Sequence, residues 1–182
     1  MRKILSIALS ILIISTLILS GCGSSSSASA SSSLNLGIVQ IVEHPSLDAA
    51  RQGFLDVLAE NGYKEGDNLV VNYENAQGDM PTLNSIAQSM AGDKPDVILA
   101  IATPSAQAVA NATKGTSIPV LFTAVTDPVA AGLVESMEKP NTNLTGTTDM
   151  APVADQIKLI KDIDPSVKNV GIIYNSGEVN SV

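Results

Sequence analysis

Apolar runs alternate with helical spacing along most of the chain. Runs rich in Ile, Leu, Val and Ala predict strands at 36–42, 69–73, 96–102, 118–124, 144–147 and 168–174. Apolar residues at helical spacing predict helices at 46–61, 79–92, from 103 onward, from 128 to about 137, and at 152–163. Successive strands lie roughly 22 to 33 residues apart, which is the size of βα units. The pattern predicts an α/β fold with a doubly wound parallel sheet.

The N-terminus has a different pattern. Arg2 and Lys3 precede an uncharged apolar run at 4–19, and the small residues Ser20 and Gly21 follow it. This order is typical of a secretory signal peptide, here residues 1–21. A membrane-spanning helix is the alternative, but the run is shorter than the roughly 20 residues that a span needs. It also lacks positive residues on its far side.

Cys22 is the only cysteine of the chain. The tetrapeptide LSGC at 19–22 resembles the lipobox of bacterial lipoproteins, which implies cleavage before Cys22 and a lipid on its sulfur. Residues 23–33 are all Gly, Ser or Ala, so residues 22–33 are expected to form a lipidated, flexible linker. We therefore expect an extracytoplasmic domain anchored to the cell membrane by lipid.

Charge and composition argue against several classes of protein. The net charge is −8 and no basic cluster occurs, whereas binding to nucleic acid needs grouped Lys and Arg. One His and one Cys make a transition-metal site improbable, and no cofactor is expected. The sequence has no nucleophile elbow, P-loop or dinucleotide fingerprint, which disfavours an α/β enzyme, the alternative class.

From about residue 36 to the C-terminus, the chain contains a series of short segments in a specific order and spacing. They are GIVQ at 37–40, HP at 44–45, ATPSAQ at 102–107, IPVLF at 118–122, VTDPV at 125–129, AGLV at 131–134, NLTG at 143–146 and YN at 174–175, with Glu178, Asn180 and Ser181 after them. Together they resemble solute-binding proteins of ATP-driven (ABC-type) uptake systems, in the tryptophan or tyrosine group.

This resemblance implies a type I periplasmic-binding fold, with two α/β lobes and a ligand between them. Lobe one would be residues 34–143, and residues 144–182 would form the hinge and the start of a truncated second lobe. The chain would then be an N-terminal fragment. The implied partners are an ABC transporter permease and a small ligand, with an aromatic amino acid favoured by the resemblance alone. A lipoprotein that presents its ligand to a membrane sensor is the alternative.

Ligands of open α/β sheets bind at the carboxyl ends of strands. Loops 40–46, 103–105 and 126–128 follow predicted strands there. In Thr103-Pro104-Ser105, free N–H groups at a hydroxyl-capped helix end favour a carboxylate, although an ordinary N-cap gives the same pattern. Asp127 either caps a helix or pairs with an ammonium group. The candidate ligand-binding residues are Gln40, His44, Thr103, Ser105, Thr126, Asp127, Glu178 and Asn180.

Each other candidate has an alternative role. Gln40 could satisfy backbone groups, His44 could be a solvated loop histidine, and Glu178 and Asn180 could be a solvated helix start. The chain has no Trp and few other aromatic residues, so stacking on a sugar is disfavoured. Helix ends next to an aspartate suit a small zwitterion such as an amino acid.

Overall fold

The computed structural model describes residues 33–181, and its sheet has five parallel strands in the order β2-β1-β3-β4-β5. The strands are β1 (Leu34–Gln40), β2 (Leu69–Asn75), β3 (Val97–Ile101), β4 (Val120–Val125) and β5 (Leu144–Thr148). The helices are α1 (Pro45–Glu60), α2 (Met80–Gly92), α3 (Thr103–Ala112) and α4 (Val153–Ile163), and Val179–Ser181 forms a 3₁₀ turn. The predicted parallel α/β fold is confirmed. The predicted signal peptide and Cys22 lie outside the described residues, as does the linker up to residue 32.

Helices cover both faces of the sheet. On one face, Leu36, Ile38 and Ile101 form a buried cluster against Leu47 and Phe54 of α1. On the other face, the buried side chains come from β1, β3 and β4 and from the inner sides of α2 and α3. Burying one such aliphatic side chain contributes about 1.5–3 kcal/mol. Because helices cover both faces of the sheet, the central strand β3 is a continuous apolar run rather than an alternating one.

The β4–β5 pairing contains an irregularity near the carboxyl edge of the sheet. The register shifts between Phe122 and Val125, and Ala124 between them has a φ of 55°. Gly146 of β5 pairs with Phe122, and a Cβ at this position would overlap the Phe122 carbonyl oxygen. Glycine is therefore the residue that allows the two strands to approach here.

The helix predicted from 128 to about 137 is absent, so that prediction was wrong. The segment instead makes a turn in which the Ala131 N–H donates to the Asp127 carbonyl (2.9 Å) and the Leu133 N–H to the Pro128 carbonyl (2.9 Å). Gly132 has a φ of 71°, which takes the backbone out of the helical region after this turn.

The sixth strand predicted at 168–174 is also absent, and this too is a correction. A strand forms only where its backbone groups pair, and nothing within residues 33–181 pairs with this segment. Ile172 and Ile173 are 72% and 102% exposed. Helix α4 just before them has no buried residue. The predicted hinge and second lobe at 144–182 thus remain a prediction.

Among residues 33–181, no helix combines the length and the apolar character that crossing a bilayer requires.

Candidate functional site

The carboxyl ends of three neighbouring strands bring the predicted loops to one edge of the sheet. Gln40, the last residue of β1, is in register with Ile101, the last residue of β3. Ile101 is in turn in register with Thr123, near the end of β4. Helix α3, which follows β3, therefore begins close to the end of β1 and Gln40. Thr126 and Asp127 follow β4 at the same edge of the sheet. This edge is where open α/β sheets bind ligands.

The N-terminus of α3 has no side-chain cap in the part of the chain described. The N-cap residue is Ala102, so the expectation that the Thr103 hydroxyl caps the helix was wrong, and Thr103 is the first helical residue. Pro104 has no N–H, which leaves the N–H groups of Thr103 and Ser105 as the free donors of the first turn. Free donors and the helix dipole together favour an anion at this end.

Ser105 adds a second polar group at this helix end. Its side chain is fully buried, and its Oγ has no hydrogen-bond partner among residues 33–181. Thr103 is 3% exposed. A buried hydroxyl without a partner costs about 1–3 kcal/mol, so native proteins rarely keep one without a use. The hydrogen-bonding capacity of the Ser105 hydroxyl is therefore unused by the described residues.

Gln40 presents an unsatisfied group of the opposite kind. It is fully buried, and its Nε2 donates to the Val42 carbonyl (2.8 Å) and to Asp48 Oδ1 (2.9 Å). Its Oε1 accepts nothing from the described residues. Within residues 33–181, Gln40 Oε1 and Ser105 Oγ are the buried side-chain atoms without a partner, and both belong to predicted site residues.

Asp127 is half-buried and closes the turn after β4. Its Oδ1 accepts from the N–H groups of Val129 (3.0 Å) and Ala130 (2.9 Å). The predicted capping role is thus observed, although on a turn instead of a helix. The other carboxylate oxygen remains available, since a carboxylate has two acceptor atoms. The Thr126 carbonyl accepts from the Thr148 hydroxyl (2.6 Å), which ties this turn to the end of β5.

The remaining candidates are held in local structure. His44 is the N-cap of α1, and its Nδ1 accepts from the Ser46 N–H (3.3 Å) at an exposed position. Glu178 Oε1 accepts from Asn175 Nδ2 (2.9 Å), and Asn180 lies exposed in the 3₁₀ turn. In the described chain, no hydrogen bond joins Glu178 or Asn180 to the sheet edge, so their site role stays a prediction.

Two features of this edge carry no sequence signal. Ala102 has a φ of 79° and a ψ of 156°, and Ala124 has a φ of 55°, conformations that are unfavourable for alanine. Backbone strain of this kind clusters at functional sites. Alanine at a strained position looks like any other alanine in a sequence, so neither residue could be singled out beforehand.

The described residues offer little for a metal. Within 33–181 there is no group of three His, Cys, Asp or Glu side chains arranged to hold one. A groove of about 370 Å³ lies between α2, α3 and the loop after β4, lined by Asn84, Gln107 and Asn111 among others. Pro104 also lines this groove, whereas its neighbours Thr103 and Ser105 do not.

Comparison with known proteins identifies the family. The family model for ABC transporter substrate binding proteins matches residues 35–182. A tyrosine-binding protein of Clostridioides difficile (strain R20291) is 54% identical over 147 residues, which are 81% of this chain and 42% of that protein. This chain therefore spans less than half of that relative's length.

Solved structures agree with this assignment. A conserved domain protein from Vibrio cholerae is 50% identical with a TM-score of 0.77, over 81% of this chain and 49% of its own. An ABC domain from Streptococcus pneumonia in complex with L-Trp is 40% identical with a TM-score of 0.77, over 82% of this chain and 50% of its own. The type I periplasmic-binding fold implied by the sequence is confirmed, and the chain belongs to the family of ABC transporter substrate binding proteins.

Proposed function

We propose that this protein captures an aromatic amino acid outside the cytoplasm and passes it to the permease of an ABC transporter. The observation that carries the proposal is the pair of buried, unpartnered polar atoms, Gln40 Oε1 and Ser105 Oγ, at one edge of the sheet. Gln40 Oε1 is an acceptor, and Ser105 Oγ is a hydroxyl that lies beside the free N–H groups of the helix. A zwitterion offers a donor and an acceptor to such a pair.

The carboxylate of the ligand would bind at α3. The N–H groups of Thr103 and Ser105 and the Ser105 hydroxyl are its donors, and the positive end of the helix dipole adds to them. The ammonium group would lie between Asp127 and Gln40 Oε1. Both ends of an amino acid thus meet partners of opposite polarity, an arrangement that neither a sugar nor a metal requires.

Other candidates would complete the site from its rim. His44 and Thr126 would flank the cleft from the ends of β1 and β4, and Glu178 and Asn180 would approach from a second lobe. The relatives support an aromatic side chain, because one is named for tyrosine and another is bound to L-Trp. The hinge of the two-lobe arrangement would lie within residues 144–182.

Location and anchoring complete the proposal. A lipid on Cys22, with residues 22–33 as linker, would hold the domain near the outer surface of the cell membrane after cleavage of residues 1–21. A linker of this length reaches roughly 18 Å when it behaves as a flexible coil. The permease would then collect the ligand from a protein confined near the membrane. The names of the relatives, which describe binding proteins, support a role without catalysis.

The test is calorimetric titration of the natural full-length protein with tyrosine, tryptophan and phenylalanine, for wild type and for Asp127→Asn. Asparagine keeps the oxygen that accepts from Val129 and Ala130 but removes the charge. We expect affinity to fall about tenfold or more, because a charged hydrogen bond is lost, with little change in melting temperature.

A matched control is Asp164→Asn. Asp164 Oδ1 also accepts from a backbone N–H two residues later, that of Ser166 (2.9 Å), but at a fully exposed turn. This variant should bind like wild type. Equal affinity of wild type and Asp127→Asn would rule out the ammonium role of Asp127, and failure of wild type to bind any of the three amino acids would overturn the proposed function.

A further inference from the structure

The side-chain amide of Gln40 has one possible orientation. Its Nε2 lies 2.8 Å from the Val42 carbonyl oxygen and 2.9 Å from Asp48 Oδ1. Both neighbours are acceptors, so they use both protons of the amide nitrogen. Turning the amide over would set Oε1 against two oxygens in a fully buried position, which is strongly unfavourable. The Gln40 oxygen is therefore directed away from both.

Asp48 is itself held from two sides. It lies in the first turn of α1, and its Oδ1 is 3.5 Å from Arg51 Nη2. The Arg51 guanidinium lies over the Tyr73 ring, 3.9 Å from the centroid, and the Tyr73 hydroxyl accepts from Asn75 Nδ2 (2.9 Å). The chain of contacts runs from the end of β1 across α1 to the end of β2. It keeps the Asp48 carboxylate beside Gln40.

We infer that Asp48 is a positioning residue that fixes the Gln40 amide so that its oxygen can accept a hydrogen bond only from an N–H or O–H of the ligand. Asp48 then determines specificity without touching the ligand, because it excludes the amide orientation that would present a donor. The inference rests on the proposed function and adds to it a requirement for an amino group on the ligand. A ligand with the same carboxylate and ring but no amine leaves Gln40 Oε1 unsatisfied.

The experiment compares two ligands on the natural full-length protein: L-tryptophan, and indole-3-propionate, which lacks the amine. Asp48→Leu removes one of the two acceptors that orient the Gln40 amide and leaves only the Val42 carbonyl. We expect its affinity for tryptophan to fall about tenfold or more and its affinity for indole-3-propionate to stay within about twofold of wild type. Gln40→Met, which lacks the amide oxygen, should show the same pattern. The double variant should lose no more tryptophan affinity than either single variant.

Rescue by a conservative variant separates positioning from mere stability. Asp48→Asn keeps an oxygen that can accept from Gln40 Nε2, although it loses the charge near the helix N-terminus. It should retain tryptophan affinity close to wild type even where its melting temperature falls as much as that of Asp48→Leu. This comparison uses tryptophan alone, so it decides the question even if indole-3-propionate binds too weakly to measure.

The same helix provides a matched control. Asp56 Oδ1 accepts from Gln52 Nε2 (2.8 Å), an identical pair of groups at an exposed position on α1. Asp56→Leu should leave both affinities unchanged. Unchanged tryptophan affinity in Asp48→Leu, an equal loss in Asp48→Asn, or an equal loss for both ligands would overturn the inference and leave the proposed function intact. Failure of wild type to bind tryptophan, tyrosine or phenylalanine would overturn both.

Discussion

Helices α2 and α3 begin with closely similar sequences but end up with opposite chemistry. Each has a cap residue, one further residue, a proline and then a hydroxyl residue: Asp79 to Thr82 in α2 and Ala102 to Ser105 in α3. In α2, Asp79 Oδ2 accepts from the Thr82 N–H (2.9 Å) at the exposed surface. In α3 the cap residue, Ala102, has no side-chain acceptor, and Ser105 is buried. One helix end is capped by a side chain, and the other has no side-chain cap among the described residues.

The difference shows that the N-terminus of α3 is less stabilised than that of α2. A capping side chain ordinarily stabilises a helix by about 0.5–2 kcal/mol, and α3 has none. The φ of 79° at Ala102 adds backbone strain of about 1–3 kcal/mol, and the unpartnered Ser105 hydroxyl adds a further cost. All three penalties fall at one helix end. This is the arrangement expected of a helix end that binds a carboxylate, as proposed above.

The largest expected effect comes from giving α3 the cap residue of α2. Ala102→Asp sets a carboxylate at the helix end where the ligand carboxylate would bind. Repulsion between the two should lower amino-acid affinity by about 100-fold or more. Calorimetric titration of the full-length protein measures this. Ala102→Asn, which is similar in size but uncharged, should lose much less, and equal losses in both variants would mean that size rather than charge is responsible.

A smaller loss is expected when the open helix end loses its hydroxyl. Ser105→Ala should lower affinity about tenfold, since one hydrogen bond to a charged group is lost. Its melting temperature should stay the same or rise, because an unpartnered buried hydroxyl disappears. The counterpart change at the capped end, Thr82→Ala, should leave affinity unchanged. A clear drop in the stability of Ser105→Ala would mean that the hydroxyl has a structural partner after all.

Relief of strain gives a modest effect of the opposite sign on stability. Ala102→Gly allows a φ of 79° without the Cβ clash and should raise the free energy of unfolding by about 1 kcal/mol, after the loss to unfolded-chain entropy. Urea unfolding measures the change. Ala106→Gly, in the interior of the same helix, should instead lower stability by about 0.5–1 kcal/mol. Destabilisation by both glycines would show that Ala102 is not strained.

The smallest effect concerns pH and the capped end. Hydrogen bonds from the side chain and backbone of Thr82 lower the pKa of Asp79 below 3.8. The ionised cap therefore stabilises α2 above the unfolded pKa, and this stability is lost as the pH falls through the folded one. Asp79→Ala should melt slightly below wild type at about pH 7, and this gap should shrink as the pH falls below the unfolded pKa of about 3.9. A gap that stays constant with pH would contradict an electrostatic cap.

Much of this fold could be predicted from hydrophobic pattern alone. The first five strands, the helices between β1 and β4 and the α/β class all followed from apolar runs punctuated by glycine and proline. The pattern failed where a local sequence depends on its surroundings. Residues 128–137 have helical spacing, yet Gly132 turns the backbone away, and 168–174 is an apolar run without a strand beside it.

The site was predictable in location and less so in detail. Parallel topology alone points to the loops after β1, β3 and β4, and Gln40, Ser105 and Asp127 were selected as candidates in this way. The cap position at Ala102 and the orienting contact of Asp48 were missed. Both depend on backbone angles and on distances between segments that no spacing in a single sequence encodes.

The strand order has a consequence for how the protein is made. β1 lies between β2 and β3, so Leu36 needs both Val71 and Val97 before each side of its strand is paired. Because β1 is synthesised first, its two edges stay unpaired until β2 and β3 have also been synthesised. Until then a strand that the finished sheet largely buries is exposed to other nascent chains. The second strand of the finished sheet, β1, is thus a segment of the newborn chain that would benefit from a chaperone until β3 has been made.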